Sequence, residues 1–310
     1  MNACAVSVVI PLHNAAAHVG AALDTVAAQV PAAADVIVID DGSTDGGGER
    51  VAARGDARVR LITQPNRGVS AARNAGLAAA TQPWVAFLDA DDLWCPGHLA
   101  RLAALAERFP EAGVLGERFR TAPPDARPEQ ALAVEPGEAR PRRADFVAEA
   151  AAGRAPFYTS SCMVRRDAAL AAGGFPEGAS HGEDLSLWIT LSERHGAAAT
   201  EAVGALYRQG GALSARARRV PDAAMMTLER LAAEAPPARR AVLLRLRRRI
   251  ALSYALTHLA AGNRAGARAA LTEARGLWSA RRLAASLLVA LPAPVARAAF
   301  AARTTLRGEA

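Results

Sequence analysis

Apolar residues in the first ninety positions come in short runs bounded by turn residues, without clean alternation. Val6–Ile10 is closed by Pro11, Val36–Ile39 stops at Asp40, and Arg58–Thr63 and Trp84–Leu88 come after them. Runs of this length, rich in β-branched residues, predict strands buried on both faces. Between them, Ala15–Ala28 carries Val19, Leu23 and Val26 on one helical stripe, and Gly68–Ala80 predicts a second helix. Strands alternating with helices across short loops predict a parallel α/β sheet, whose ligands sit beyond the carboxyl ends of the strands. Further on, Leu99–Phe109 and Asp184–Glu193 predict helices and Phe157–Val164 a strand. Thr121–Arg143, rich in Pro, Glu and Arg, reads as an exposed loop or insertion. From Pro221 onward the pattern is helical, and Leu243–Leu259 and Ala265–Leu277, hinged at Ala261–Asn263, read as a helical hairpin. The expected organisation is an α/β region over 1–214 and a helical region over 215–310.

Composition adds a class and a charge division. At 310 residues, 51% hydrophobic and 22% charged, the chain can bury a sizeable core. All 37 basic residues are Arg and Ala abounds, a compositional bias that makes Arg richness alone no functional sign. Its distribution says more. Residues 1–204 hold 18 Arg against 25 acids, whereas 205–310 hold 19 Arg against 5 acids. The basic half reads either as a surface for anionic lipid or nucleic acid or as an Arg-rich solvated helix face. Cys4, Cys95 and Cys162 have no metal-type spacing and fit a reduced compartment. The N-terminus lacks a signal-peptide pattern, and Leu283–Phe300, the most apolar stretch, is interrupted by Pro292, Pro294 and Arg297. The expected location is cytoplasmic, with a peripheral place on the inner face of the cell membrane.

Four constellations fall where strands or loops run into helices. Asp40-Asp41-Gly42-Ser43 ends a strand; its acids either cap the next helix or accept a hydrogen bond from a ligand's base N–H or ribose hydroxyl. Asp89-Ala90-Asp91-Asp92 ends another. Alternating carboxylates in a tight turn repel one another unless a cation sits between them, and hard divalent cations take oxygen ligands shared with phosphates. Glu183-Asp184 closes "GASHGED" and reads as a general base for a hydroxyl or as ordinary helix-dipole complementation. In "NRGVSAARNAG", Gly68 and Ser70 open a helix whose amides can face anions, with Arg73 one turn in.

In order, "VSVVIPLHN", "VIVIDDGSTD", "NRGVSAARNAG", "WVAFLDADDLWCPGHL", "GGFPE", "GEDLSLW" and "LYRQGGALS" resemble the family 2 glycosyltransferases over Val6–Ser214. The resemblance implies a GT-A fold, a Rossmann-like, mostly parallel sheet flanked by helices, here with an all-α C-terminal extension. It implies an inverting, non-processive transfer from a nucleoside diphosphate sugar, foremost a UDP-sugar, to a saccharide or lipid-linked acceptor. Pro11, Asn14, Asp40, Asp41, Arg73, Asp89 and Ala90 would line the donor site. Asp91, with Asp89, would hold a divalent metal, Mn2+ or Mg2+. Asp184 would be the catalytic base, with Glu183 beside it, His181 an acceptor contact and Trp188 either acceptor wall or core. The Gln-x-x-Arg-Trp motif of processive synthases is missing; "ITLSERHG" comes after Trp188 instead. "LLRLRRRIALSYALTHLAAGNRAGARAALTEA" resembles a tetratricopeptide-like hairpin, which with the apolar Leu283–Phe300 segment suits peripheral docking on an anionic membrane. The rivals are an inactive nucleotide-sugar-binding scaffold and a sugar nucleotidyltransferase. The latter would open on a Gly-rich loop where "PLHN" stands. Nucleic acid is not an expected partner, since no interleaved aromatics or recognised module accompany the basic residues.

Overall fold

The computed structural model describes residues 4–209, 220–277 and 280–290. They belong to two compact units, Met1–Ala179 with Glu183–Ala215, and Ser180–Gly182 with Arg216–Ala310. The first unit opens with β1 (Cys4–Leu12), α1 (Val19–Ala27), β2 (Ala33–Asp41), α2 (Gly47–Ala52), β3 (Val59–Gln64), α3 (Val69–Ala79) and β4 (Trp84–Phe87). It continues with β5 (Leu93–Trp94), α4 (His98–Arg108), β6 (Val114–Ala122), α5 (Pro128–Leu132), β7 (Arg142–Ala144) and α6 (Phe146–Ala151). A 3-10 turn, Thr159–Ser161, leads into β8 (Cys162–Arg165), then α7 (Arg166–Ala171), α8 (Glu183–His195) and β9 (Ala197–Arg208).

Among the described residues nine strands form one sheet in the order β3-β2-β1-β4-β8-β6-β9-β5, with β7 paired to β9. The pairs β3–β2, β2–β1, β1–β4 and β6–β9 are parallel, while β8, β5 and β7 run antiparallel to their neighbours. Six strands therefore share one direction, and the sheet is mostly parallel. Val8, Val9 and Ile10 of β1 and Ile37, Val38 and Ile39 of β2 are fully buried, as expected for strands covered on both faces. Pro11 does not end β1. Val9 directs its carbonyl toward Leu88 N on the β4 side, so Pro11, two residues on, faces the same side, where β4 has already ended. Its missing N–H therefore leaves no ladder bond unmade. Gly76 lets α3 lie directly on β1: a Cβ there would stand 2.3 Å from Val9 Cγ1.

Two expectations are corrected, and two strands were not foreseen. Thr121–Arg143 is not simply an exposed loop, because it carries α5, and Ala122, Ala126 and Ala131 pack with Leu93, Cys95, Val203 and Leu206. The strand expected from Phe157 begins only at Cys162, after the 3-10 turn. The strands β6 and β9, 9 and 12 residues long, carry no sequence signature: β9 is Ala-rich, with weak strand preference, and Glu117, Arg118 and Arg120 break the apolar run of β6. Tertiary pairing makes them strands. Gly116 of β6 leaves room for the Phe157 ring, whose Cγ would meet an added Cβ at 2.3 Å.

The second unit holds α9 (Ala223–Glu234), α10 (Pro237–Ala260), α11 (Arg264–Glu273) and α12 (Ala280–Ala290). Asp222 caps α9 through Met225 N at 2.8 Å, and Asn263 caps α11 through Gly266 N at 2.9 Å, closing the hinge expected at Ala261–Asn263. Arg247 lies between Glu229 at 3.1 Å and Glu273 at 2.8 Å, so part of the basic character knits these helices together. Among the described residues no helix is long and apolar enough to cross a membrane. The division expected at 214/215, the end of the "LYRQGGALS" motif, and the Leu283–Phe300 segment beyond residue 290 lie outside the described residues.

Candidate active site

The carboxyl ends of β1 and β2 are laced together by short polar side chains. Asn14, the one described non-glycine residue with positive φ (+50°), accepts Thr44 N at 2.8 Å while its own amide donates to Ser43 Oγ at 3.1 Å. Asp40 accepts Ser43 N at 2.9 Å. Asp41 is almost fully buried, and its carboxylate accepts Gln64 Nε2 at 2.8 Å, Arg67 N at 2.9 Å and Gly68 N at 2.8 Å. An ionised carboxylate offers about four acceptor sites. Asp41 thus spends two on the turn that starts α3 and one on Gln64 at the end of β3, and has one left. His13, inside the "PLHN" strand end, places Nδ1 2.9 Å from the Asp41 carbonyl and Nε2 3.1 Å from Asn66 Nδ2. An Nδ1-protonated ring satisfies both contacts.

After β4 the three acids of the Asp89–Asp92 loop part ways. Ala90 buries its methyl in the core and acts as the spacer between Asp89 and Asp91. Asp92 turns inward, is 1% exposed, and accepts Tyr158 Oη at 2.9 Å, Ser160 Oγ at 2.6 Å and Arg208 N at 3.0 Å. Burial first, then repulsion from Asp89 and Asp91, raises its pKa well above the carboxylate range. It is a structural acid. Arg208 Nε donates to the Asp91 carbonyl and its NH1 to Ala126 O at 3.0 Å, fixing the loop backbone. Asp91 stays partly exposed, with its pKa raised by burial and by Asp89.

The Glu183–Asp184 pair opens α8, where negative charge complements the helix dipole. Arg73 reaches across from α3. Its NH2 donates to Asp89 Oδ1 at 2.8 Å and its NH1 to Glu183 Oε1 at 3.1 Å, and the guanidinium lies 5.4 Å over the Phe175 ring. The side chain is 4% exposed. Burial opposes its charge, but Asp89, Glu183 and Asp184 outweigh burial and raise its pKa. Glu183 responds the other way: burial and Asp184 push its pKa up, against the pull of Arg73. Asp184 accepts Thr159 Oγ1 at 2.9 Å. Two acidic motifs far apart in sequence thus meet on one buried cation.

Other expectations resolve plainly. Trp188 is fully buried against Phe87 and Phe175, with ring centroids at 6.0 and 5.6 Å, and is core. His195 ends α8 with Nδ1 3.4 Å from Arg165 NH2. His181 falls in the second unit, where its carbonyl accepts Ala223 N at 3.4 Å. The hydroxyl run Tyr158–Ser161 and Arg208 were not expected from the sequence. A "YTSS" run before a strand was the available signal, but hydroxyls at a turn are too common to single out.

Among the described residues no group of three His, Cys, Asp or Glu could hold a metal ion by itself. Asp89 and Asp91 are hard oxygen donors of the kind a divalent cation shares with phosphate, and burial first, then Asp89, raises the Asp91 pKa.

Comparison with known proteins bears on the family and the fold. The sequence model of glycosyl transferase family 2 matches residues 7–173. The uncharacterized glycosyltransferase alr2836 of Nostoc sp. is 36% identical over 113 residues, 36% of this chain and 35% of that protein. The succinoglycan biosynthesis protein ExoO of Rhizobium meliloti is 41% identical over 103 residues, 33% of this chain and 30% of its own length. The matched region thus spans about a third of these relatives. Among solved structures, Staphylococcus aureus TarS 1-349 in complex with UDP-GlcNAc superposes with a TM-score of 0.60 at 18% identity, covering 82% of this chain and 72% of that one. The mannosyltransferase PcManGT from Pyrobaculum calidifontis, in complex with GDP-Man and Mn2+, gives 0.57 at 22% identity, covering 97% and 85%. At these identities the two structures establish the shared GT-A fold alone. With the family's sequence model spanning more than half of the chain and its fold under the same motifs, the chain belongs to glycosyl transferase family 2.

Proposed function

We propose that this chain transfers a sugar from a nucleoside diphosphate sugar to an acceptor hydroxyl by one in-line displacement, inverting the anomeric centre. The observation that carries the reading is Arg73, whose buried guanidinium joins Asp89 of one acidic motif to Glu183 of the other. A donor bound along the carboxyl ends of β1, β2 and β4 would have its nucleoside near Pro11, Asn14, Asp40 and the free acceptor site of Asp41. Asp184 takes the acceptor proton as that oxygen attacks the anomeric carbon, and the C–O bond to the diphosphate breaks with its electron pair. Glu183 and Arg73 hold the acidic cluster in place around it. A divalent cation on Asp91 and Asp89, Mn2+ or Mg2+, would supply charge neutralisation for the leaving diphosphate. The donor class to test first is UDP-sugars.

Calorimetric titration of UDP, GDP and dTDP, with and without Mn2+, tests the donor side. One nucleotide should bind in a metal-dependent way, and Asp91→Ala should weaken it by about 1–3 kcal/mol, the order of one charge-assisted contact. No binding of any nucleotide under any condition overturns the transferase reading and leaves a scaffold.

The acceptor we propose is a saccharide or lipid-linked saccharide, met at the inner membrane face. The basic balance of residues 205–310 and the exposed Leu283 and Leu287 of α12 support that place. Anionic vesicles should sediment the protein at low salt and release it as salt rises, since screening shortens to about 8 Å at physiological ionic strength. Equal sedimentation with neutral and anionic vesicles would remove the electrostatic basis of that place.

A further inference from the structure

The turn Tyr158–Ser161 is used by none of the roles above, yet it touches both acidic motifs. Thr159 and Ser160 are 2% and 0% exposed. Burying two hydroxyls is unfavourable unless both are bonded. Both are, in two directions. Thr159 Oγ1 donates to Asp184 Oδ2 at 2.9 Å. Ser160 Oγ donates to Asp92 Oδ2 at 2.6 Å and accepts the Asp89 N–H at 3.1 Å.

The turn cannot drift, because its own backbone is held from the core side. Trp94 Nε1 donates to Ser160 O at 2.7 Å, and Ser161 Oγ donates to Glu117 O at 2.8 Å. Glu117 is itself fully buried and gripped by Arg101 Nε at 2.6 Å and His98 Nδ1 at 2.6 Å. Adjacent residues of one pinned turn therefore fix the rotation of the Asp184 carboxylate and the entry of the Asp89–Asp91 loop.

We propose that Thr159 is a positioning residue for Asp184 in sugar transfer, and that Ser160 is its counterpart for the Asp89–Asp91 loop. The turn thereby sets the spacing between the base and the donor-side carboxylates. This rests on the reading of Asp184 as the base. With Asp184 Oδ2 held by the Thr159 hydroxyl and Oδ1 by the Leu185 N–H at 2.7 Å, the carboxylate is fixed in rotation and presents its remaining lone pairs in one direction. Misplacing a catalytic group by about 1 Å can lower the rate by about 100-fold.

Steady-state kinetics on wild type, Thr159→Val, Thr159→Ser, Ser160→Ala and Asp184→Asn, each with a thermal melt and a nucleotide titration, test the inference. Thr159→Val keeps the shape and removes the donor. It should lower kcat by about 10- to 100-fold, with donor KM, nucleotide affinity and Tm unchanged. Thr159→Ser restores the hydroxyl and should restore kcat. Ser160→Ala should instead raise donor KM. If Asp184→Asn turns over like wild type, the base reading itself fails. If Asp184→Asn is inactive but Thr159→Val matches wild type, only the positioning role fails. A Thr159→Val defect that Thr159→Ser does not restore, or one in which KM and Tm move with kcat, assigns Thr159 to packing and overturns the inference.

Discussion

Asp184→Asn is expected to lower sugar transfer by roughly 10²–10⁴-fold, the usual contribution of a positioned general base. Nucleotide binding should survive, because the proposed donor contacts lie on β1, β2 and β4, whereas Asp184 sits in the first turn of α8. The fold should survive as well. The Asn amide oxygen can accept the Leu185 N–H, now 2.7 Å from Oδ1, while the Thr159 hydroxyl, 2.9 Å from Oδ2, can turn to accept from the amide NH2. The competing explanation is a helix-start acid that only complements the dipole. Losing such a charge costs about 0.3–1 kcal/mol of stability and leaves turnover intact. The two accounts therefore differ in kind, stability loss without rate loss against rate loss without stability loss. Single-turnover assays beside a denaturation curve separate them, and normal turnover in Asp184→Asn would remove Asp184 from the chemistry.

Arg73→Met should cost stability and activity together. The guanidinium is nearly fully buried and carries the charge that balances Asp89 and Glu183. Removing one partner of a buried ion pair costs about 3–5 kcal/mol, because the remaining charge is left uncompensated. Asp89 and Glu183 side chains keep 27% and 14% exposure, so solvent screens part of the loss and the lower end, about 3 kcal/mol, is expected. The sign with pH is set by Glu183. Burial and Asp184 already hold its pKa above the ordinary carboxylate value, and Arg73 is the group pulling it down. Without Arg73 the pKa rises further, so the folded variant binds a proton more readily than the unfolded chain. Its stability deficit should shrink as pH falls through the Glu183 titration and grow as pH rises through it. Denaturant unfolding across that range checks both points. A loss under about 1 kcal/mol, the value typical of an exposed pair, would mean the guanidinium is not the cluster's charge balance.

Much of the first unit's first half was legible from local signals. The unbroken apolar runs at Val6–Ile10 and Val36–Ile39 became the doubly covered strands β1 and β2, because a strand buried on both faces needs no polar alternation. The acids at Asp40–Asp41 and Asp89–Asp91 were found at strand ends for the same reason, since a run that stops at a carboxylate marks the sheet's edge. The hinge at Ala261–Asn263 was visible because an Asn before a Gly- and Ala-rich helix is its own cap signal.

The sequence by itself therefore determined the α/β class, the order of the early strands and helices, and the family to which the motifs belong. These depend on contacts within a few residues and on side-chain period, both written along the chain. The tertiary structure alone decided which acids serve which purpose. It turned Asp92 inward to Tyr158, Ser160 and Arg208, engaged three acceptor sites of Asp41 in holding Gln64 and the turn before α3, and made Trp188 core. It also made strands of β6, interrupted by charge, and of the Ala-rich β9, and drew Arg73 to Glu183 across 110 positions of sequence. No local pattern encodes such a pairing, because burial of a charge depends on which distant side chain arrives to balance it.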